Sequence, residues 1–363
     1  MTDKEYMRRA IELAKKGIGK TDPNPLVGAV IVKDNKIIGE GFHERYGGLH
    51  AERNAIASLK SDAAGADMYV TLEPCCHYGK TPPCTEAIIE NKIGRVIVGS
   101  RDPNPLVAGK GAGALRDAGI EVETDFLRDE CDALNKKFFH FITTGRPYVL
   151  LKYAMTADGK IATKTGASKW ISSEKSREFV HGLRNEYPAI LAGIGTVLAD
   201  DPMLTARIED ARNPLRVIVD TNLKIPADCN ILKTAKEIPT LIAYSNASIE
   251  RIREVNEAGA ETLELPESNG HVDLSALMEA LGEKKISGVL TEGGAGINYG
   301  MFKAGLVDEV NVFVAPKVFG GAGARSPVEG EGVSMPDEAF GLEFVSSRVI
   351  GDDVLLTYRD KKT

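Results

Sequence analysis

Apolar and polar positions follow two different periods along the chain, and the switches between them outline its elements. Met7, Ala10, Ile11 and Ala14 recur at helical spacing, with Thr2 or Asp3 to cap and Gly17 to stop, which predicts an opening amphipathic helix. VGAVIVK and KIIGEGF then read as strands joined by a turn at Asp34 and Asn35. AERNAIASL is helical, DMYVTL a buried strand, TEAIIEN a helix and RVIVGS a strand, and DPNPLVAGKGAGALRDAGIEVET reads as loop, helix and strand. Alternation of this kind from Val27 to Thr124 predicts a three-layer α/β sandwich. A helix over FLRDECDALNKKFFHFITT follows, and GRP at Gly145 to Pro147 marks a boundary, giving domains of residues 1–146 and 147–363.

The second half repeats the α/β alternation. YVLLKYAMT, AILAGI, LRVIVD, PTLIAYS and GVLTE are strand-like, with helices near EKSREFVHGLRN, SIERIREVNEAG and DLSALMEALG. TEGGAGINYGMFKAGL is a strand end, a glycine-rich turn and a helix, a geometry that lets bare amides approach a phosphate, although it is not G-x-G-x-x-G. DEVNVFVAPKV and VLLTYRD read as closing strands.

A length of 363 residues suits roughly two domains, each with its own core. The net charge of −7 argues against a general nucleic-acid binder. No apolar run reaches ~18 residues and the start, MTDKEYMRRA, lacks a signal-peptide core, so a cytoplasmic, non-membrane protein is expected. Cys75, Cys76 and Cys84 cluster while Cys131 and Cys229 stand apart, which argues for a reducing compartment over a disulfide framework.

That cysteine cluster carries the chemistry. His50 with two thiolates forms a soft three-ligand cup that suits Zn²⁺ and leaves a fourth tetrahedral position for water. Glu52, two residues after the imidazole, can relay a proton instead of ligating. H-x-E followed by P-C resembles the signature of zinc nucleobase deaminases, but the expected C-x-x-C is stretched here into PCCHYGKTPPC. Cys75 and Cys84 flank that loop, and Cys76 and His77 lie inside it as rival ligands. Cys84 is favoured because it precedes a helix whose first amides would stabilise a thiolate. Asn24, fixed between two prolines, could aim its amide at a ligand edge.

Taken in order, TDPNPLVGAVIV, GGLHAERNA, LEPCCHYGKTPPC and DPNPLVAGKG, then LKYAMTADGKIAT, SKWISS, GIGTVLADDPMLTAR, VIVDTNLKIP and LTEGGAGIN resemble the bifunctional deaminase–reductases of riboflavin biosynthesis over nearly the whole chain. The resemblance implies a cytidine-deaminase-like three-layer domain followed by a dihydrofolate-reductase-like α/β domain. It implies zinc on His50, Cys75 and Cys84, Glu52 as proton shuttle, and pyrimidine contacts from Asn24, His43, Ala51, His77, Lys80 and Asn104. On the reductase side it implies NADPH contacts from Ala154, Trp170, Thr196, Asp200 and Thr221, and from the turn Gly294, Ala295, Gly296, Ile297, Asn298, Tyr299 and Gly300. The sugar-phosphate substrate is expected at Lys152, Ser168, Arg184, Leu204, Arg207 and Glu292. Arg184 and Arg207 suit a phosphate as bidentate donors, Lys152 suits the phosphate or a developing charge on the sugar, and Trp170 offers a flat wall. Asp201 beside Asp200 reads as a cap or turn pair.

Hydrolytic loss of ammonia from a phosphoribosyl diaminopyrimidine, then NADPH reduction of its ribose to a ribityl chain, is therefore the expected function. Small phosphorylated pyrimidines are the expected partners, with no nucleic acid or membrane, in a homo-oligomer. One rival is a nucleic-acid base deaminase with a binding module, which would need a basic, aromatic groove; the acidic balance and single Trp count against it. The other is a degenerate second half that only supports the first.

Overall fold

The computed structural model describes residues 1–78, 82–104 and 107–361. It divides into two compact units, Met1–Gly145 and Arg146–Thr363.

In the first unit, helix α1 (Asp3–Lys15) starts at a capping box between Thr2 and Glu5 and buries Met7, Ala10, Ile11 and Ala14. Strands β1 (Gly28–Lys33) and β2 (Lys36–Phe42) are joined by Asp34 and Asn35, both left-handed at φ 50° and 60°. Asp and Asn tolerate that region better than other side chains with a β-carbon, so the tight hairpin follows from the sequence. With β3 (Asp67–Leu72), β4 (Arg95–Ser100) and β5 (Glu121–Glu123) they form a sheet in the order β2-β1-β3-β4-β5, parallel from β3 to β5. Alternation decides what covers each face. Val30 and Val32 pack toward Tyr6, Met7 and Leu13 of α1. Ala29 and Ile31 pack toward α2 (Ala51–Ala57), α3 (Cys84–Glu90) and α4 (Lys110–Asp117) through Ala55, Ile88 and Leu115.

Two glycines let helices close onto this sheet. A Cβ on Gly28 would collide with the Ala10 carbonyl of α1; one on Gly41 would press on the Ala55 amide and come 2.6 Å from the Ala51 carbonyl oxygen of α2. The long helix expected over 126–144 is instead two, α5 (Arg128–Asp132) and α6 (Lys136–Thr144). The break falls at Asn135, whose side chain accepts from Leu26 N at 2.8 Å and donates to Leu26 O at 2.9 Å, replacing helical bonding with a tertiary pair.

The second unit holds β6 (Tyr148–Thr156), β7 (Ala189–Gly193), β8 (Leu215–Val219), β9 (Thr240–Tyr244), β10 (Glu261–Glu264), the ribbon β11 (Glu267–Ser268) and β12 (His271–Val272), β13 (Gly288–Thr291), β14 (Glu309–Ala315), β15 (Leu342–Ile350) and β16 (Asp353–Asp360). Its main sheet runs β10-β9-β8-β7-β13-β6-β14-β16-β15, parallel as far as β14, with antiparallel β16 and β15 closing one edge. One face buries Ile190, Ile218 and Ile242 under α8 (Ile194–Asp200), α9 (Asn230–Lys233) and α10 (Ile249–Glu257). The other buries Leu191, Val217 and Leu241 under α11 (Leu274–Glu283) and α12 (Ala295–Lys303). Helix α7 (Glu174–Glu186) packs Leu183 against Tyr148, Leu150 and Leu290. Both units are α/β, as expected. The strand order sets β6, β13 and β7 side by side, and parallel sheets gather ligands at the carboxyl ends of such strands.

Candidate active sites

In the first unit, α2 begins one residue after His50, which is its N-cap, and Glu52 is its second residue. Cys75 lies after β3, and Cys84 opens α3. His50 Nδ1 is 3.5 Å from Cys75 Sγ and 3.4 Å from Cys84 Sγ, and the three donor atoms lie within 4.8 Å of one another. Tetrahedral zinc with bonds of about 2.0–2.3 Å separates nitrogen from sulfur ligands by roughly 3.6 Å, so this donor set fits zinc in both chemistry and spacing. Cys76 and His77, the rivals in the loop, are not part of the cluster; His77 is exposed.

The helix N-terminus acts on a different sulfur from the one expected. Cys84 N–H donates to Cys75 Sγ at 3.4 Å. The Cys75 thiol is pulled well down, first by its hydrogen bond with the Cys84 thiol, while Cys84 is pushed up by that same bond and by burial. Without metal, the thiolate of the pair therefore sits on Cys75. Glu52 is only 3% exposed. Burial, and then the Cys75 charge, push its carboxyl up.

Around this cluster, His43 Nδ1 lies 2.9 Å from the Leu49 carbonyl and Nε2 lies 3.1 Å from Asn24 Nδ2. A ring N–H on Nδ1 donates to the carbonyl, so Nε2 accepts from the Asn24 amide and leaves the Asn24 oxygen for a ligand. Burial pushes the His43 imidazolium down, which favours this neutral form. Ala51 is fully buried and offers only backbone. Asn104 N–H donates to Asp102 Oδ1 at 2.8 Å, and Lys80 lies outside the described residues. Two further residues escaped the sequence reading. Arg53 of α2 donates to the carbonyls of Pro82 at 3.1 Å and Pro83 at 2.7 Å, tying the metal loop to the helix that bears His50. Glu73 accepts from Gly109 N and Ala112 N, both at 3.0 Å, seating the start of α4.

In the second unit a cleft of about 450 Å³ opens at the carboxyl ends of β6, β7 and β13, within the size range of small-ligand sites. Lys152, Ser168, Arg184, Leu204, Arg207 and Glu292 all line it, as do Ala154, Trp170, Thr196, Asp200, Gly294, Ala295 and Asn298. Gly296, Ile297, Tyr299 and Gly300 fall within α12 and do not line the cleft. Thr221 does not either: its hydroxyl accepts from Val272 N at 3.3 Å.

Charge in the cleft centres on Glu292. Arg184 donates to it through Nε at 2.6 Å and Nη2 at 3.0 Å, and Lys152 Nζ lies 3.5 Å away. Burial pushes the Glu292 carboxyl up, but the two cations outweigh it and hold it at about 2. The remaining Arg184 arm, Nη1, donates to Thr205 O at 3.1 Å. Arg184 thus commits its Nε–Nη2 fork to a buried carboxylate, and the N–H donors that Glu292 and Thr205 do not take remain for a ligand in the cleft. Arg207 is exposed at the cleft. Ser168 Oγ donates to Asp200 Oδ1 at 2.9 Å, and Asp201, the next residue, is the C-cap of α8 at φ 40°. Trp170 is 59% exposed, with the Arg177 guanidinium 4.6 Å from its ring centroid. At the start of α12, Gly294 N–H donates to Thr196 Oγ1 at 3.0 Å, and a Cβ at Gly296 would meet nothing within 4 Å. A bare helix N-terminus beside an exposed indole fits a phosphorylated, flat-ringed cofactor such as NADPH.

Together the two units define a zinc deaminase joined on one chain to a nucleotide-dependent reductase. Residues 1–100 match the family described as the cytidine and deoxycytidylate deaminase zinc-binding region, and residues 147–356 match the RibD C-terminal domain. The riboflavin biosynthesis protein RibD of Actinobacillus pleuropneumoniae is 51% identical over 358 residues, covering 99% of this chain and 95% of the relative. The solved structure of Acinetobacter baumannii RibD superposes with a TM-score of 0.89 at 37% identity, covering 99% of each chain. The solved diaminohydroxyphosphoribosylaminopyrimidine deaminase/5-amino-6-(5-phosphoribosylamino)uracil reductase of Thermotoga maritima gives 0.87 at 39% identity, covering 98% of each. The chain belongs to the RibD family, and is a zinc-dependent deaminase and NADPH-dependent reductase of riboflavin biosynthesis. Among its described residues no helix is long and apolar enough to cross a membrane.

Proposed function

We propose that the chain acts twice on one phosphoribosyl pyrimidine. It first deaminates 2,5-diamino-6-(5-phosphoribosylamino)pyrimidin-4-one, then reduces the ribosyl group to ribityl, giving 5-amino-6-(5-phosphoribitylamino)uracil. Residues up to the Gly145–Pro147 turn carry the first step and the remainder the second. The observation that carries the reading is the cup of His50, Cys75 and Cys84 with a buried acid on the same helical turn.

His50, Cys75 and Cys84 hold the zinc. When bound, the metal would supply Lewis-acid activation of water, the chemistry that hydrolytic deamination needs. Glu52 holds and moves the proton: burial pushes its carboxyl up, which suits it to take a proton and then deliver it to the departing amine. Asn24, held by His43, presents its oxygen to the pyrimidine's donor edge, and the backbone at Ala51, with His77 and Asn104, closes the ring's surround.

NADPH supplies the hydride of the second step. Trp170 gives it a wall, and Ala154, Thr196, Asp200 and the opening of α12 from Gly294 line its path. Lys152, oriented by Glu292, stabilises charge on the sugar, Ser168 and Leu204 border the substrate, and Arg207 meets the phosphate. Glu52→Gln tests the assignment: zinc content and NADPH consumption on the deaminated intermediate stay normal while ammonia release disappears. Ordinary ammonia release by that variant would refute the role given to Glu52.

A homo-oligomer suits the exposed edge strand β15, where Phe344, Val345 and Val349 are 57%, 45% and 74% exposed. Sedimentation as a monomer at micromolar concentration would refute it. None of the five cysteines is in a disulfide, which suits a cytoplasmic enzyme.

A further inference from the structure

Helix α7 turns three side chains into the reductase cleft at successive helical spacings: Arg177, His181 and Arg184. Arg177 lies over Trp170, and Arg184 is held by Glu292 and Thr205. His181 has no role in the reading above, yet it meets the loop that carries Arg207. Its Nδ1 lies 3.2 Å from the Thr205 carbonyl and 3.3 Å from the Arg207 backbone N. One nitrogen cannot serve both. With a lone pair it accepts from the Arg207 N–H; with a proton it donates to the Thr205 carbonyl. Nε2, the opposite ring nitrogen, then remains for the cleft that His181 lines.

Resting on the reading of this cleft as the reductase site, we propose that His181 and Arg207 together form the seat for the substrate's phosphate, with His181 binding it as an imidazolium. A phosphate placed by Arg207 needs a second donor. Arg184 offers only the N–H groups that Glu292 and Thr205 leave it, and the protonated ring supplies a charged donor through Nε2–H while Nδ1–H holds Thr205. Burial, Arg184 and Arg207 push the imidazolium down, opposed by the hydrogen bond with the Thr205 carbonyl and by Glu292, a balance that favours the neutral ring. The groups facing it are Arg184 on its own helix, Arg207 on the loop and Glu292 after β13, with Lys152 and Asp200 farther along the cleft. A dianionic phosphate reverses that balance, so binding draws one proton onto the ring.

Titration calorimetry with ribose 5-phosphate, in two buffers of different ionisation enthalpy at pH 7.5, reads this directly on the unmodified enzyme. Proton uptake on binding is expected, and none with unphosphorylated ribose. In His181→Gln the uptake disappears, and KM for the deaminated substrate rises on the order of tenfold or more, the loss of one charge-assisted hydrogen bond. Its kcat and its KM for NADPH stay within about twofold. Binding by the unmodified enzyme without proton uptake overturns the proposal, as does uptake that persists in the variant. A variant that loses NADPH affinity instead moves His181 to the 2′-phosphate of the cofactor and likewise overturns it. Failure of the unmodified enzyme to oxidise NADPH with the deaminated substrate would sink the reductase reading itself, a separate result from any of these.

Discussion

Replacing Glu292 by Gln removes the carboxylate that Arg184 and Lys152 share in the cleft. Glu292 and Arg184 side chains are 8% and 14% exposed, so solvent screens the pair little. A carboxyl held at about 2 against its ordinary 4.5 favours its charged form in the fold by about 3 kcal/mol, at about 1.4 kcal/mol per tenfold. Breaking a buried ion pair from one side costs a similar 3–5 kcal/mol or so, because the partner charges stay buried. For a unit the size of Arg146–Thr363, roughly 2–4 °C per kcal/mol turns this into a fall of about 6–12 °C in its melting transition. Scanning calorimetry of the full chain at pH 7 measures it, and ammonia release from the same sample is the internal control. The pH dependence checks the cause. The folded value lies below the unfolded one, so the stabilisation is complete above about pH 5 and lost as pH falls through 2. The gap between parent and variant should narrow over that window. A gap below about 2 °C at pH 7, or one indifferent to acid, would refute the reasoning.

Cys76→Ser should retain one zinc per chain by metal analysis, whereas Cys75→Ser and Cys84→Ser should each lose it; equal retention in all three would return the ligand set to the rivals in the loop. Arg207→Ala should raise KM for the phosphorylated substrate on the order of tenfold while NADPH binding is kept, and parallel loss of both would move Arg207 to the cofactor. Arg216 is fully buried, and among the described residues its guanidinium donates to neutral oxygens, of Thr240, Thr234, Ile231, Ile238 and Met203. Arg216→Lys cannot reach them all, and a loss of about 2–4 kcal/mol in denaturant unfolding is expected; an unchanged midpoint would show the fork to be dispensable.

Much of this could be read from residues because local pattern and chemistry agreed. The zinc donors are spaced by turns the sequence itself writes, and the Asp34–Asn35 hairpin needs only its two central residues. What stayed hidden depends on partners far along the chain. Glu292 reaches Arg184 across 108 residues and Lys152 across 140, so nothing near any of them announced that the guanidinium was already occupied. The helix break at Asn135 answers Leu26, 109 positions earlier. Strand β15 escaped because its residues are almost all exposed and carry no buried alternation; it exists through pairing with β16. His181 did leave a mark, the Arg-His-Arg stripe at four and three residues on α7, but a basic stripe reads equally well as a solvated face until the cleft is seen.

Gly41 touches neither zinc nor substrate, yet it is the gauge block against which the deaminase centre is set. Any side chain there would prise the first turn of α2 off the sheet, and His50 and Glu52 would ride outward with it while both cysteines stayed behind. In a random mutant library, lesions at this silent position would masquerade as damage to the metal ligands themselves.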